Sequence, residues 1–378
     1  MKRTAVVACA ILLLFAASCK DMALEYYNRG IDAMEKGDAA AAVEDFETSL
    51  SYRSDDPDTH HNLGVAYQTI GNYAAALEHL KIALESSPSD PILHYSIAET
   101  HAAMGSQQSA AREYARAIAL KNDFYEALTD YGKLLMQMGD YTAAEENLVH
   151  AITIKPSYGK TYIYLGWVYA KTGKVNQATY YLYRGLQSEP NSIDGRMGLA
   201  TLFYEKGLFD DAVAEYQKVT EQDAKNPEAF LGMGRCYTAL GETALAESTL
   251  QKALILRPDS PDTRLALGDL YLKGKDYERA VNEYRTAAGQ MNKDPRAYTN
   301  LGRAYTAAGN FAEAQSSFEK ALLIAPDNPW VLYHSGQLYK SMRDATKARV
   351  YFERSLAHVG TDEQLRSLLA DALSSLKN

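Results

Sequence analysis

The 378 residues carry 39 basic and 48 acidic side chains, a net charge of −9, and 47% of them are hydrophobic. That balance disfavours nucleic acid, whose affinity depends on clustered lysine and arginine neutralising phosphates, and it disfavours broad adhesion to anionic lipid. Cys9 and Cys19 stand in the first nineteen residues, so Cys236 is the one thiol in the body of the chain and no internal disulfide is available there.

The first predicted element is a leader. Lys2 and Arg3 precede an apolar run from Ala5 to Ala17, too short to cross a bilayer as a helix and suited to the h-region of a secretory signal. The run closes with Ala16, Ala17, Ser18 and Cys19, which resembles a bacterial lipobox with alanine where leucine is usual. The resemblance implies a signal peptide over 1–18, lipid attachment at Cys19 and a short tether over 19–22. By analogy with lipoprotein sorting, Lys20 favours an outer-membrane anchor facing the periplasm. Ala16-x-Ser18 also suits a general signal peptidase, which leaves a secreted or periplasmic soluble protein as the alternative.

The body of the chain is periodic. Ala42, Ala76, Ala110, Ala144, Ala178, Ala212, Ala246, Ala280, Ala314 and Ala348 recur every 34 residues without an insertion. Twelve residues ahead of each alanine stands another small residue, glycine in eight cases and alanine at Ala98 and Ala200. Rings at Tyr67, Tyr169, Phe203, Tyr237, Tyr271, Tyr305 and Tyr339 are expected to fill the volume those small residues leave. Gly37, Gly71, Gly105, Gly139, Gly173, Gly207, Gly241 and Gly309 mark helix C-termini, where a positive φ costs glycine nothing. Pro88, Pro156, Pro190, Pro258 and Pro326 stop a second helix. Each unit therefore reads as helix, tight turn, helix, stop.

This arrangement resembles the tetratricopeptide repeat, and Leu165-Gly166, Tyr169, Gly173, Ala178 and Pro190 fall on its signature positions. The resemblance implies an all-α fold, a right-handed superhelical solenoid of ten helix-turn-helix units read as one elongated domain. The units are 23–56, 57–90, 91–124, 125–158, 159–192, 193–226, 227–260, 261–294, 295–328 and 329–362. In the eighth, Gly274 comes one place early and Lys275 holds the glycine slot, so a distorted turn is expected there. A capping helix over 363–378 follows, with Thr361 and Gln364 in capping-box spacing and Leu365, Leu368, Leu369, Ala372 and Leu376 on one stripe.

In such repeats the first helices line a concave groove through positions 2, 5, 9, 12 and 13. Those positions make Tyr27, Ile31, Tyr95, Lys133, Lys160, Ile163, Trp167, Lys171, Arg296, Arg303, Trp330 and Tyr333 the candidate partner-binding residues. The chain has only two tryptophans, and both fall on groove positions, Trp167 beside Lys133, Lys160 and Lys171. The family's clamp for chaperone C-termini needs lysine at position 5 and asparagine at position 9 of one unit, a pair absent here.

No phosphate-binding loop, G-x-S-x-G, H-E-x-x-H or dinucleotide fingerprint is present, so neither catalytic residues nor a cofactor is expected. His60, His61, His94 and His101 fall in neighbouring units but on packing positions, which argues against a metal site, and Cys236 reads as an inert buried thiol. The expected function is a non-catalytic, lipid-tethered scaffold that holds a protein or extended peptide of the bacterial cell envelope in its groove. Assembly of a pilus, secretion, polysaccharide-export or cell-wall machine is the expected setting. The alternative is a soluble exported module that sequesters a peptide or small ligand.

Overall fold

The computed structural model describes residues 20–376, and the leader over 1–18, Cys19 and the last two residues lie outside them. The chain divides between Gly195 and Arg196 into two compact units, where the sequence suggested one elongated domain. In a repeat array each hairpin packs on its neighbours alone, so no single core is expected to span the whole chain.

In the first unit α1 covers 20–35, followed by α2 (Ala39–Tyr52), α3 (Pro57–Thr69), α4 (Tyr73–Ser86), α5 (Pro91–Ala103), α6 (Gln107–Leu120), α7 (Tyr125–Met138), α8 (Tyr141–Ile154), α9 (Gly159–Lys171) and α10 (Val175–Ser188). The division falls inside α11 (Ile193–Glu205). The second unit continues with α12 (Phe209–Gln222), α13 (Pro227–Leu240), α14 (Thr243–Leu256), α15 (Pro261–Lys273), α16 (Tyr277–Gln290), α17 (Pro295–Ala308), α18 (Phe311–Ile324), α19 (Pro329–Ser341), α20 (Ala345–His358) and α21 (Glu363–Ser374). No strand occurs among the described residues.

Local chemistry sets the helix starts. Pro57, Pro91, Pro227, Pro261, Pro295 and Pro329 occupy the first turn, where a missing N–H costs nothing. A side chain just before each proline caps the helix: Asp90 accepts from the Ile92 N–H at 2.8 Å and Asn226 from that of Ala229 at 2.9 Å. Ala42 and its nine counterparts are fully buried.

The small column faces large side chains, but not the expected ones. A Cβ at Gly268 would lie 2.5 Å from the Tyr284 ring and one at Gly64 would lie 2.7 Å from Leu80, so the gap is filled from the second helix of the same hairpin. The ring column instead ties hairpins together. Tyr169 donates to Glu145 at 2.8 Å, Tyr271 to Glu247 at 2.9 Å, and Tyr67 to Glu47 in the same manner.

The eight turn glycines all take positive φ, between 73° and 85°. The eighth turn is not distorted, contrary to expectation. Lys275 itself adopts φ 62°, and the Asp276 N–H still reaches the Tyr271 carbonyl at 2.9 Å, as Asp140 reaches Leu135 at 2.9 Å after Gly139. The repeat register therefore outweighs the left-handed penalty on an L-residue, roughly 1–2 kcal/mol. Lys275→Gly should raise stability by about 0.5 to 1 kcal/mol after its entropic cost in the unfolded chain, whereas Lys275→Ala should leave it unchanged. Urea titrations of the two variants check this.

The cap also differs in detail. Asp362, not Thr361, caps α21 by accepting from the Leu365 N–H at 2.9 Å, because the helix begins at Glu363 and Asp362 is the residue immediately before it. Leu365 and Leu369 are fully buried against Phe352 and Tyr339, and Leu368, Leu373 and Leu376 are half-buried.

Candidate binding groove

In the first unit the groove positions are largely committed to one another. Tyr27 packs on Phe46 and accepts from the Asn62 amide at 2.9 Å, while Ile31 lies half-buried in the same cluster. His61 meets the Ser96 hydroxyl at 3.2 Å, and Tyr95 donates to Asp130 at 2.7 Å. These contacts link residues thirty-five apart, position 5 of one repeat to position 6 of the next.

Asp130 is the centre of this network. It keeps 10% of its side-chain surface, and Lys160 pairs with it at 2.7 Å. Burial works against the ammonium charge of Lys160, but Asp130 more than reverses this and holds its pKa above the ordinary lysine range. Glu99, pushed up by burial and by Asp130, shares a cleft of about 340 Å³ with Asp130, Lys133 and Lys160. Tyr95 is raised by burial first and by Asp130 second.

The expected ring of cations around Trp167 does not form. Lys160 is bound to Asp130 and Lys133 lies over the Tyr164 ring at 5.0 Å, leaving Lys171 exposed at the end of α9. The Trp167 indole is half-buried and donates to the Asp194 carbonyl at 3.1 Å. Ile163 is not a groove residue at all. It is 1% exposed because Gly185 and Gly195 leave space that its side chain fills.

The second unit does bring candidates together. Arg296, Trp330, Asp262, Leu265, Asp269, Thr299, Asn300, Val331, His334, Tyr204 and Arg235 line a concavity of about 530 Å³. An adjoining cavity of about 350 Å³ adds Lys273 and Arg303 and shares Tyr204, Arg235 and Asp269. The lining thus comes from the first helices of five successive repeats, α11, α13, α15, α17 and α19.

Each charge there has a definite state. Arg296 grips Asp294 at 2.7 and 2.9 Å, which holds the Asp294 carboxyl below the usual range, and stands 4.0 Å from Asp262. Arg303 bonds Asn300 at 2.9 Å and stands 4.0 Å from Asp269. Asp269 keeps 51% of its side-chain surface toward the groove, yet the walls desolvate it and raise its pKa, and Tyr284 donates to it at 2.5 Å. Lys273 caps α13 through the Thr238 carbonyl at 2.6 Å. His334 is pushed down to about 3 by burial and by Arg303.

Trp330 faces both ways, whereas Tyr333 packs on Phe352 and does not line the concavity. Their rings meet edge to face at 6.0 Å and pack on the α20–α21 cluster, and the Trp330 indole donates to Asp362 at 3.1 Å. Tyr204 and Arg235 sit on groove positions and were legible as such. Asn300 and His334 sit on position 6, which a five-position reading of the groove omits.

The remaining chemistry-bearing residues are packed. His60 and His94 are 6% and 8% exposed and hydrogen-bonded, and His101 is half-buried. Cys236 is fully buried and desolvation pushes its thiol up to about 12. Among the described residues no helix is long and apolar enough to cross a membrane.

Family models described as tetratricopeptide repeat match residues 27–91, 61–127, 125–158, 197–261, 237–304, 272–317 and 305–372. One described as an Est1 DNA/RNA binding domain matches 144–226. The chain is 24% identical to the BBSome complex member BBS4 of Bos taurus over 66% of its own length and 48% of that protein's. It is 23% identical to the TPR repeat-containing protein YpiA of Bacillus subtilis over 54% of its length and 48% of that protein's. It therefore spans about half the length of these curated relatives. A tetratricopeptide repeat protein from Parabacteroides merdae has a similar structure, with a TM-score of 0.56 at 21% identity over 67% of this chain and 99% of that one. The matched repeats cover well over half of the sequence, and the helical hairpins have the same construction: the chain belongs to the tetratricopeptide repeat family.

Proposed function

We propose that this protein is a non-catalytic scaffold, tethered by lipid on Cys19, that holds a partner protein during assembly of a cell-envelope machine. Tetratricopeptide repeat proteins generally act as protein-interaction scaffolds. The observation that carries the reading is the groove of the second unit, where five successive first helices present charged, amide and aromatic groups to one open concavity of about 530 Å³. The chemistry of its wall is recognition chemistry. His334, held near 3, stays neutral at physiological pH and is a poor proton shuttle. The tether rests on the sequence Ala16-Ala17-Ser18-Cys19 after an apolar leader.

Two measurements in intact cells test the two halves. A photoreactive residue at Asn300 should capture a single envelope protein, while one at Tyr180, 58% exposed on α10, should not. Equal capture from both sites, or none, refutes groove binding. The wild type should take up a labelled fatty acid and follow the detergent phase, and Cys19→Ser should release it. An unlabelled, water-partitioning wild type means the soluble exported module instead.

A further inference from the structure

The groove of the second unit is cationic inside an acidic chain. Arg235, Lys273, Arg296 and Arg303 line it against Asp262 and Asp269, whereas the whole sequence has a net charge of −9. The two aspartates are already answered from within, by Arg296 and Arg303 at 4.0 Å and by the Tyr284 hydroxyl. Arg235 is exposed and forms no ion pair within 4.0 Å among the described residues, although its charge reaches Asp269 and partly offsets the rise of that carboxyl. Its guanidinium is the least committed charge on the wall, and a carboxylate would meet it in a fork geometry.

Two amides line the same concavity. The Asn300 oxygen accepts from Arg303, and the Asn328 oxygen accepts from the backbone N–H groups of Trp330 and Val331 at 3.0 and 3.2 Å. With both oxygens occupied, each amide keeps its N–H donors for a peptide carbonyl. Trp330, Leu265, Val331 and Tyr204 supply apolar surface between these polar groups.

We propose that this groove docks an acidic extended segment of the partner, its carboxylates on Arg235 and Arg303 and an apolar side chain against Trp330. The inference rests on the groove being a protein-binding site and adds the chemistry of what enters it. A peptide can place neutral residues over Asp262 and Asp269 and acids over the arginines, matching the alternation of the wall. A nucleic acid carries charge on every phosphate and would meet both aspartates.

The full chain, titrated with a fluorescein-labelled peptide bearing tryptophan flanked by glutamates, tests this. Binding should weaken steeply with salt, fall about tenfold in Arg235→Glu and recover only in part in Arg235→Lys, which restores the charge but not the fork. Asp262→Asn removes a like charge from the site and should tighten binding about threefold, a gain that misfolding cannot produce. A lysine-for-glutamate peptide that binds as well, an alanine-for-tryptophan peptide that loses nothing, or a single-stranded oligonucleotide that outcompetes the acidic peptide overturns the proposal. So does an unchanged affinity in Arg235→Glu. If Asn300 captures a partner whose contacting segment is neutral or basic, the scaffold reading stands and this one falls.

Discussion

Gly185→Ala should destabilise the first unit by about 3 kcal/mol, the upper end of what overpacking usually costs. The added methyl would collide with Ile163 Cγ1 and lie 3.0 Å from both the Gly159 carbonyl oxygen and the Ile163 backbone nitrogen. A side-chain terminus could turn away from it, but those two backbone atoms belong to α9 and move only if the hairpin opens. Helix propensity works in the opposite direction, because alanine is favoured over glycine inside a helix by roughly 0.5 to 1 kcal/mol. Gly289→Ala isolates that term: it lies in α16 with nothing within 4 Å of its would-be Cβ, so it should stabilise slightly. Urea titration reads both signs. Hydrogen exchange in Gly185→Ala should rise in α7 to α10 and stay unchanged in α17 to α21, since repeat stability is a nearest-neighbour quantity. Uniform loss across the chain would contradict the nearest-neighbour picture.

Acid should loosen the second repeat through a histidine pair. His60 Nε2 faces the Ser54 carbonyl at 3.0 Å, which only accepts, so that nitrogen carries a proton. His60 Nδ1 is then bare in the neutral ring, and His79 Nδ1, 2.9 Å away, must donate to it. Protonating both rings would set two N–H groups against each other. Burial lowers the His79 pKa first and His60 second, against smaller opposing effects of Glu78 and Glu47, and Tyr67 stacks on its other side at 5.7 Å.

A histidine whose folded pKa lies below its unfolded value, about 6.5, leaves stability intact above that value and loses it as pH falls, because the unfolded chain takes the proton first. His334, lowered to about 3 by burial and Arg303, does the same in the second unit, and its part should reach about 1 to 3 kcal/mol by about pH 4. His79→Glu would recreate the pair that His94 makes with Glu113 at 2.7 Å and should remove the share of the acid loss due to the histidine pair, leaving that of His61, whose pKa burial also lowers. His334→Phe should remove the His334 share of the loss in the second unit, leaving that of Asp294, whose carboxyl Arg296 holds down. Thermal melts between neutral pH and about pH 4 check both, and wild-type and variant curves that run parallel would refute the assignment.

Much of the fold was legible because hairpin crossings demand small residues: Gly64 against Leu80 and Gly268 against Tyr284 can be met only by glycine or a close substitute, and the demand recurs with each repeat. The departures have a common cause. Ile163 is buried because Gly185 stands as glycine in a 34-residue column that Ala83, Ala117, Ala151, Ala253, Ala287 and Ala321 fill elsewhere, and Lys160 is neutralised by Asp130, a residue of the preceding repeat. Period-based reading carries what every repeat must do and is blind to pairings that occur once. It also missed position 6, because Asn62, Ser96, Asp130, Tyr164, Asn300 and His334 share a location without sharing a chemistry.

That location gives the chain an address system. At the first three junctions position 5 of one repeat meets position 6 of the next, so Tyr27 addresses Asn62, His61 addresses Ser96 and Tyr95 addresses Asp130. Loss of a whole 34-residue copy by recombination would preserve reading frame and helix register. It would not preserve the addresses. Excising residues 91–124 would seat Asp130 opposite His61, exchanging a neutral contact with Ser96 for one that strengthens when the imidazole is protonated. The first four repeats, alike enough to be interchangeable as folding units, are thereby individually numbered.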